Sequence, residues 1–185
     1  GLMTGTYPQR QPNMSDSKPL IPEAMPTLPS LLKTAGYQTA MVGKWHLGDN
    51  APHRPQDRGF QDVVWHRCGG IGQASDYWGN DYFDDTYVHN GKRENFDGYT
   101  TDVFFRQAMD WMGKQAAQEK PFFCYIPTAA AHWPHFVPQR FRDAATKRLN
   151  AALPNLKKIP AGKQEALASF LAMIENIDEN VGHLE

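Results

Sequence analysis

The chain has 185 residues, 41% hydrophobic and 21% charged, a globular composition with enough length for one domain and a sizeable core. Nineteen Lys and Arg against twenty Asp and Glu leave a formal charge of -1, so nothing points to nucleic acid or to a basic membrane face, and any anion site must be local. No apolar run approaches the roughly 18 residues of a membrane helix, and Cys68 and Cys124, far apart, suggest neither a disulfide framework nor a zinc ribbon.

Leu2-Met3-Thr4-Gly5 reads as the last turn of a helix closing on its capping glycine. Five prolines in residues 6–26 (Pro8, Pro12, Pro19, Pro22, Pro26) predict a surface loop. Thr27 is the expected N-cap of a helix whose Leu28, Leu31, Leu32 and Ala35 repeat at i, i+3, i+4 and i+7, with Gly36 at the left-handed position that ends it. A strand is expected over residues 37–42, with Gly43 turning the backbone as it ends. Lys44 and His46 follow, two apart. In an extended backbone that spacing puts both side chains on one side, an ammonium and an imidazole sharing a volume suited to a tetrahedral oxyanion. In open α/β sheets ligands bind beyond the carboxyl ends of strands. For Lys-x-His in isolation, a solvated lysine and a loop histidine are the plainer account.

Residues 49–99 read as a loop-rich insertion containing His53, His66, Gly69-Gly70 and the acidic aromatic cluster Asp76, Tyr77, Trp78, Asp81, Tyr82, Phe83, Asp84, Asp85 and Tyr87. Aromatics with carboxylates suit a sugar or calcium, but the spacing fits no calcium loop, and a packed, solvated insertion is the simpler reading. Asn90-Gly91 signals a type I′ hairpin. Thr100 or Thr101 then caps a helix facing Phe104, Phe105, Ala108, Met109, Trp111 and Met112 inward, which Lys120-Pro121 ends. The apolar run 122–126 predicts a parallel strand covered on both faces and flanked at both edges. Three alanines later come His132 and His135, whose spacing on a helix would suggest metal ligation, although Pro134 favours loop histidines. Two helix-strand units thus deliver Lys44 with His46, and His132 with His135, to one edge of an α/β sheet. Leu167, Phe170, Leu171, Ile174, Ile177, Val181 and Leu184 predict a final amphipathic helix. With both termini inside expected elements, the chain reads as an internal piece of a longer protein, prone to aggregate alone.

These landmarks resemble the sulfatases of the alkaline-phosphatase-like superfamily. Gly36-Tyr37-Gln38-Thr39 through Gly43-Lys44-Trp45-His46-Leu47-Gly48 is similar to the second sulfatase signature, and Leu2-Met3-Thr4-Gly5-Thr6-Tyr7-Pro8 to the tail of the first, CxPSRxxLxTG. Gly98-Tyr99-Thr100-Thr101-Asp102 resembles the family's GYxTD, and Pro121-Phe122-Phe123 to His132-Trp133-Pro134 its PFF...HxP segment. The resemblance implies an α/β/α sandwich with a mostly parallel central sheet, residues 1–185 being an internal fragment of the catalytic domain. It also implies a formylglycine nucleophile and a calcium ion. Lys44 would bridge sulfate and the formylglycine oxygens, His46 would be the base that frees sulfate, and His132 would contact a sulfate oxygen and protonate the leaving alcohol. Lys44, His132 and His135 are the expected substrate-binding residues.

By the signature's spacing the nucleophile stands six positions before Gly1, and neither Cys68 nor Cys124 is followed by the signature's Pro and Arg. No metal ligand is expected within the 185 residues, and the isolated chain is expected to be catalytically silent. The expected substrate is a sulfated small molecule or glycan, in a periplasmic or secreted setting. The rivals are a phosphodiesterase or phosphonate hydrolase on the same scaffold, and a carbohydrate-binding module using the aromatic cluster around Trp78.

Overall fold

The computed structural model describes residues 1–7, 20–153, 155 and 158–184; Pro8, Pro12 and Pro19 of the proline-rich stretch lie outside them. The elements in chain order are α1 (Leu28–Thr34), β1 (Gln38–Lys44), a 3-10 turn (Pro55–Arg58), β2 (Asp62–His66), β3 (Thr86–His89), β4 (Lys92–Asn95), α2 (Thr100–Ala116), β5 (Phe122–Tyr125), α3 (Gln139–Ala152) and α4 (Ala161–Gly182). The strands form one sheet in the order β4-β3-β2-β1-β5. Its centre is parallel, with β2 and β5 flanking β1, and an antiparallel β3-β4 hairpin extends one side. Residues 49–99, read from sequence as a loop-rich insertion, therefore hold three of the five strands. The hairpin turns on Asn90 (φ 48°) and Gly91 (φ 84°), the two positive φ angles a type I′ turn demands.

Both faces of the sheet are covered. On one, Val42 and Val64 meet Val103, Phe104 and Ala108 of α2. On the other, Met41, Val63 and Trp65 meet Met3, Ile21, Trp45 and Phe60. Phe60 stacks 6.3 Å from both Phe123 and Tyr125 and takes Trp45 edge-on at 5.9 Å. Trp65, Phe60, Phe104 and Met41 are buried almost completely, and each contributes roughly 1.5–3 kcal/mol by leaving water. β5, expected to be flanked on both edges, pairs only with β1 among the described residues and is half-buried along its length.

Several local readings are revised by tertiary contacts. α1 ends as expected: Tyr37 N–H donates to Leu32 O and Gly36 N–H to Lys33 O, with Gly36 at φ 90°. Its start differs, because the Thr27 hydroxyl donates to Arg58 O (2.6 Å) across the chain while Ser30 Oγ accepts the Thr27 N–H. Leu31, expected inside, is 57% exposed. Neither Thr100 nor Thr101 caps α2 with its side chain; both are fully buried, and the Thr100 hydroxyl joins the Asp85 carboxylate instead. α4 buries Ala168, Ala172, Met173, Asn176 and Asn180, leaving the expected core residues Phe170, Ile174 and Val181 about two-fifths exposed. The reason is polar: the Asp102 carboxylate of α2 accepts from the side-chain amides of Asn176 and Asn180, both at 2.7 Å, and this fixes the rotation of α4.

The acidic aromatic cluster is structural at its centre and solvated at its tip. Buried Asp85 accepts the N–H groups of Asp81 (2.8 Å) and Tyr82 (3.1 Å) and the hydroxyls of Tyr87 (3.0 Å) and Thr100 (3.2 Å). Burial holds its carboxyl above the ordinary carboxylate range, and these four donors oppose that shift. Asp76 caps Gly72 N–H and Asn80, the Arg93 guanidinium lies 4.3 Å over Tyr77, and Trp78 is wholly exposed. Replacing Asp85 by Ala strands four buried donors, so Asp85→Ala is expected to lower the unfolding free energy by about 3 kcal/mol in urea titration. A loss under about 1 kcal/mol would show that the network is not holding residues 80–87 to α2.

Candidate active site

All three parallel strands end at the same edge, and each hands over a segment there. β1 delivers Lys44 and His46, β2 delivers His66 and the Cys68-Gly69-Gly70 run, and β5 leads through Pro127 to the His132 loop. The ends of β1 and β5 are tied, since Lys44 N–H donates to Pro127 O at 2.7 Å. Gly43 (φ 138°) makes this approach possible: a Cβ there would lie 2.1 Å from the Pro127 oxygen, inside any allowed contact. Gly43 thus serves a close approach within β1 and not the turn expected after it. The backbone leaves the extended form beyond Lys44, so strand alternation does not align Lys44 with His46. Trp45 turns into the core, its indole donating to His53 O at 2.8 Å, and His46 adopts φ 51°.

Adjacent glycines receive the two imidazoles. A Cβ on Gly69 would sit 2.6 Å from both Cε1 and Nε2 of His46, and one on Gly70 would sit 3.2 Å from Cε1 of His132 and 2.9 Å from Nε2 of Gln73. The absence of side chains at these positions therefore lets His46 and His132 approach the same dipeptide from β1 and β5. Cys68 precedes them at φ 65°, its N–H held by both Asp49 oxygens at 3.1 and 3.0 Å and its thiol donating to Gln73 Oε1 at 3.3 Å. Two non-glycine residues in the left-handed region, His46 and Cys68, at one sheet edge is the kind of local strain that clusters at functional sites.

The charge that faces this edge comes from Lys44. Its side chain is half-buried and makes no ion pair among the described residues. Desolvation lowers its pKa below the ordinary lysine value, and the neighbouring Cys68 sulfur, through its negative charge when ionised, acts to raise it. The register partner of Lys44 is His66, fully buried and stacked on Phe104 at 6.3 Å. His66 Nδ1–H donates to Arg67 O (2.9 Å), and its Nε2 is buried without a hydrogen-bond partner. Burial, foremost, pushes its pKa down; the hydrogen bond to the Arg67 carbonyl and the Asp76 charge oppose this, and the Lys44 charge adds to it. His66 and Gly69-Gly70 stand out in the sequence only as members of a loop-rich stretch, with no place at the site; the signal that places them is Val63-Val64-Trp65 between Gly59 and Gly69, a buried strand too short to show a period.

The His132 loop is held from two sides. Tyr82 Oη donates to His132 O (3.3 Å) and Tyr99 Oη to Phe136 O (3.0 Å). His132 Nδ1 contacts Trp133 O, which leaves Nε2 for a ligand. His135, expected with the other substrate-binding residues, faces elsewhere: its ring stands edge-on to Phe170 of α4 at 5.6 Å and lines a separate cavity with Arg142. Lys44, His46 and His132 are therefore gathered around Cys68-Gly69-Gly70, and His135 is not among them.

The sheet is covered on both faces, and its parallel strands bring to their carboxyl ends an ammonium without an ion-pair partner among the described residues and two imidazoles, the arrangement of an α/β protein with its site at the strand ends. The sulfatase family description matches residues 1–184, and the chain belongs to that family. It is 27% identical over 99% of its length to an ulvan-active sulfatase of Formosa agariphila, and 32% identical over 62% of its length to an arylsulfatase of Klebsiella aerogenes. An N-acetylgalactosamine-6-sulfatase of Canis lupus familiaris is 29% identical over 84% of the chain. Among solved structures, Ps i-CgsB in complex with k-i-k-neocarrahexaose superposes with a TM-score of 0.70 at 25% identity, covering 98% of this chain and 41% of that one. The chain spans 35%, 26% and 32% of the lengths of the three sequence relatives.

Since desolvation dominates at Lys44, its ammonium is expected to lose its proton below the usual lysine range as pH rises, observable by NMR titration of its Cε protons. Cys68→Ser removes the one charge that opposes the shift, so Lys44 should titrate lower still. An unchanged or higher value in Cys68→Ser would show that the two side chains do not interact.

Proposed function

We propose that this chain forms part of the catalytic domain of a sulfatase that hydrolyses aryl or carbohydrate sulfate esters, with Lys44, His46 and His132 acting on the sulfate group. The observation that carries this reading is the Gly69-Gly70 cradle, which admits both imidazoles beside an ammonium that has no carboxylate partner among the described residues. Lys44 supplies a fixed positive charge for the sulfate oxygens, and its cost of burial is offset when the anion arrives. With Nδ1 engaged by the Trp133 carbonyl, His132 in its protonated form donates from Nε2 to the ester oxygen as the S–O bond breaks, so the alcohol leaves neutral. His46, pressed against Gly69 from the opposite strand, is the second acid-base group and takes up the proton that must leave before sulfate is released.

Two groups that the family implies lie outside what these residues supply. Among the described residues no group of three or more His, Cys, Asp or Glu side chains could hold a metal ion. They build no calcium cage, and the roles given to Lys44, His46 and His132 do not involve one. The formylglycine would supply an aldehyde hydrate as nucleophile, and neither cysteine fits its precursor. Cys124 lies within β5 with its thiol pushed up to about 12 by burial, and Cys68 precedes Gly69-Gly70 and not the signature's Pro and Arg. On this reading the nucleophile comes from sequence preceding Gly1, and the parent protein works in the periplasm or outside the cell. No described helix is long and apolar enough to cross a membrane.

In the parent-length protein, Lys44→Ala is expected to lower kcat/KM for 4-nitrophenyl sulfate by about 10²–10³-fold. Gly69→Ala, which displaces the His46 ring without touching substrate, should lower kcat by about 10²-fold at a nearly unchanged melting temperature. The 185-residue chain alone should show no turnover above its own Lys44→Ala control. Faster hydrolysis of bis(4-nitrophenyl) phosphate than of the sulfate, or full activity in Lys44→Ala, would overturn the reading in favour of phosphoryl transfer or another site.

A further inference from the structure

Two cavities flank the 132–137 loop and share Trp133, Pro134 and Phe136 as their common wall. The first, of about 250 Å³, opens between this loop and residues 71–82, with Gln73, Asn80 and Asp81 as polar groups and Trp133 and Phe136 as aromatic ones. The second, of about 540 Å³, lies between the loop and the α3-α4 pair and contains His135, Arg142, Glu165 and Ser169. Trp133, 75% exposed, lines both. The second falls within the roughly 300–1,000 Å³ of small-molecule sites, and the first lies just below it, room for a single ring.

The first cavity is joined to the reacting groups through Gln73. Its amide oxygen takes the Cys68 thiol hydrogen, and its amide nitrogen shares the space over Gly70 with the His132 ring. A molecule in that cavity is therefore next to the group proposed to protonate the leaving alcohol. The second cavity is marked by charge. Of the three arginines on α3, Arg140 pairs with Glu179 and Arg148 with Glu175, both on α4. Arg142 alone makes no ion pair among the described residues, and its Nε is buried without a partner. Glu165 shares the cavity but is not paired with it.

We infer that the sulfated alcohol is one unit of an anionic oligosaccharide, its ring in the first cavity against Trp133 and Gln73, and that the neighbouring unit lies across Trp133 in the second cavity with a sulfate or carboxylate on Arg142. This rests on the sulfatase reading and adds the substrate class to it. An exposed indole offers the flat apolar face on which a pyranose stacks, while amide and carboxylate groups meet its hydroxyls. A guanidinium without an ion-pair partner among the described residues can offer its terminal N–H donors to the oxygens of a planar or tetrahedral anion. An aryl sulfate fills the first cavity at most and leaves Arg142 unused.

The test compares, in the parent-length protein, kcat/KM for 4-nitrophenyl sulfate, a monosulfated neutral disaccharide, and that disaccharide carrying on its adjacent residue either a second sulfate or a uronate carboxylate. Both doubly anionic sugars should exceed the neutral one, and whichever gains more identifies the anion. Arg142→Ala should erase that advantage by about tenfold or more, with Arg142→Lys keeping part of it. Trp133→Ala should lower the ratio of every disaccharide to nitrophenyl sulfate by about tenfold, and Trp133→Phe should restore most of it, which a folding defect would not do. Ratios that stay constant in these variants, while nitrophenyl sulfate is hydrolysed in a Lys44-dependent way, overturn this inference and leave the sulfatase reading intact. If the parent hydrolyses no sulfate ester, the sulfatase reading falls and takes this inference with it.

Discussion

The hydrogen bond from Lys44 N–H to the Pro127 carbonyl is the constraint on which the site depends. It ties the carboxyl ends of β1 and β5, and so it decides that Lys44 and His46, from one half of the chain, stand beside the loop carrying His132, from the other. The bond needs Gly43, because a side chain there would occupy the position of the Pro127 oxygen. β2, on the other side of β1, then brings Gly69-Gly70 into the space between the two imidazoles. Three parallel strands in register, each followed by a segment that reaches the same edge, bring Lys44, His46 and His132 around Cys68-Gly69-Gly70.

A second tier of polar contacts keeps that arrangement from drifting. The GYxTD-like segment, Gly98 to Asp102, acts entirely through structure. Tyr99 grips the Phe136 carbonyl, Thr100 completes the Asp85 network, and Asp102 draws Asn176 and Asn180 of α4 against the start of α2. Tyr82, positioned by the same Asp85, holds the His132 carbonyl. One buried carboxylate is thereby linked through its donors to the loop that bears a proposed catalytic histidine. Such networks stabilise only when every member is satisfied, which is why Asp85 gathers four donors despite the cost of burying its charge.

Much of this was legible in the chain. α1 with its Gly36 terminator, β1, the Asn90-Gly91 hairpin, α2 and β5 all carry local signals strong enough to survive folding, and four motifs in the right order pointed to the sulfatases. β2 and α3 were missed for opposite reasons. β2 offers only three apolar residues between polar ends, too few for a period. α3 shows a single narrow stripe, Phe141, Ala145 and Leu149, among three arginines and a lysine. The rotation of α4 was misread because large apolar residues outvoted Asn176 and Asn180 in the pattern, whereas the structure is set by what the Asp102 carboxylate requires.

The chain by itself determined the family, the strand-and-helix units, and the residue types that can meet an oxyanion, because glycine terminators, apolar runs and motif spacing are short-range properties. Only the tertiary structure decided which of those residues meet. Lys44, His46 and His132 converge because two glycines leave room for two rings, while His135, three residues from His132, swings to Phe170 and a different cavity. Convergence is a matter of close approach between segments about 90 residues apart, and no local pattern encodes a distance.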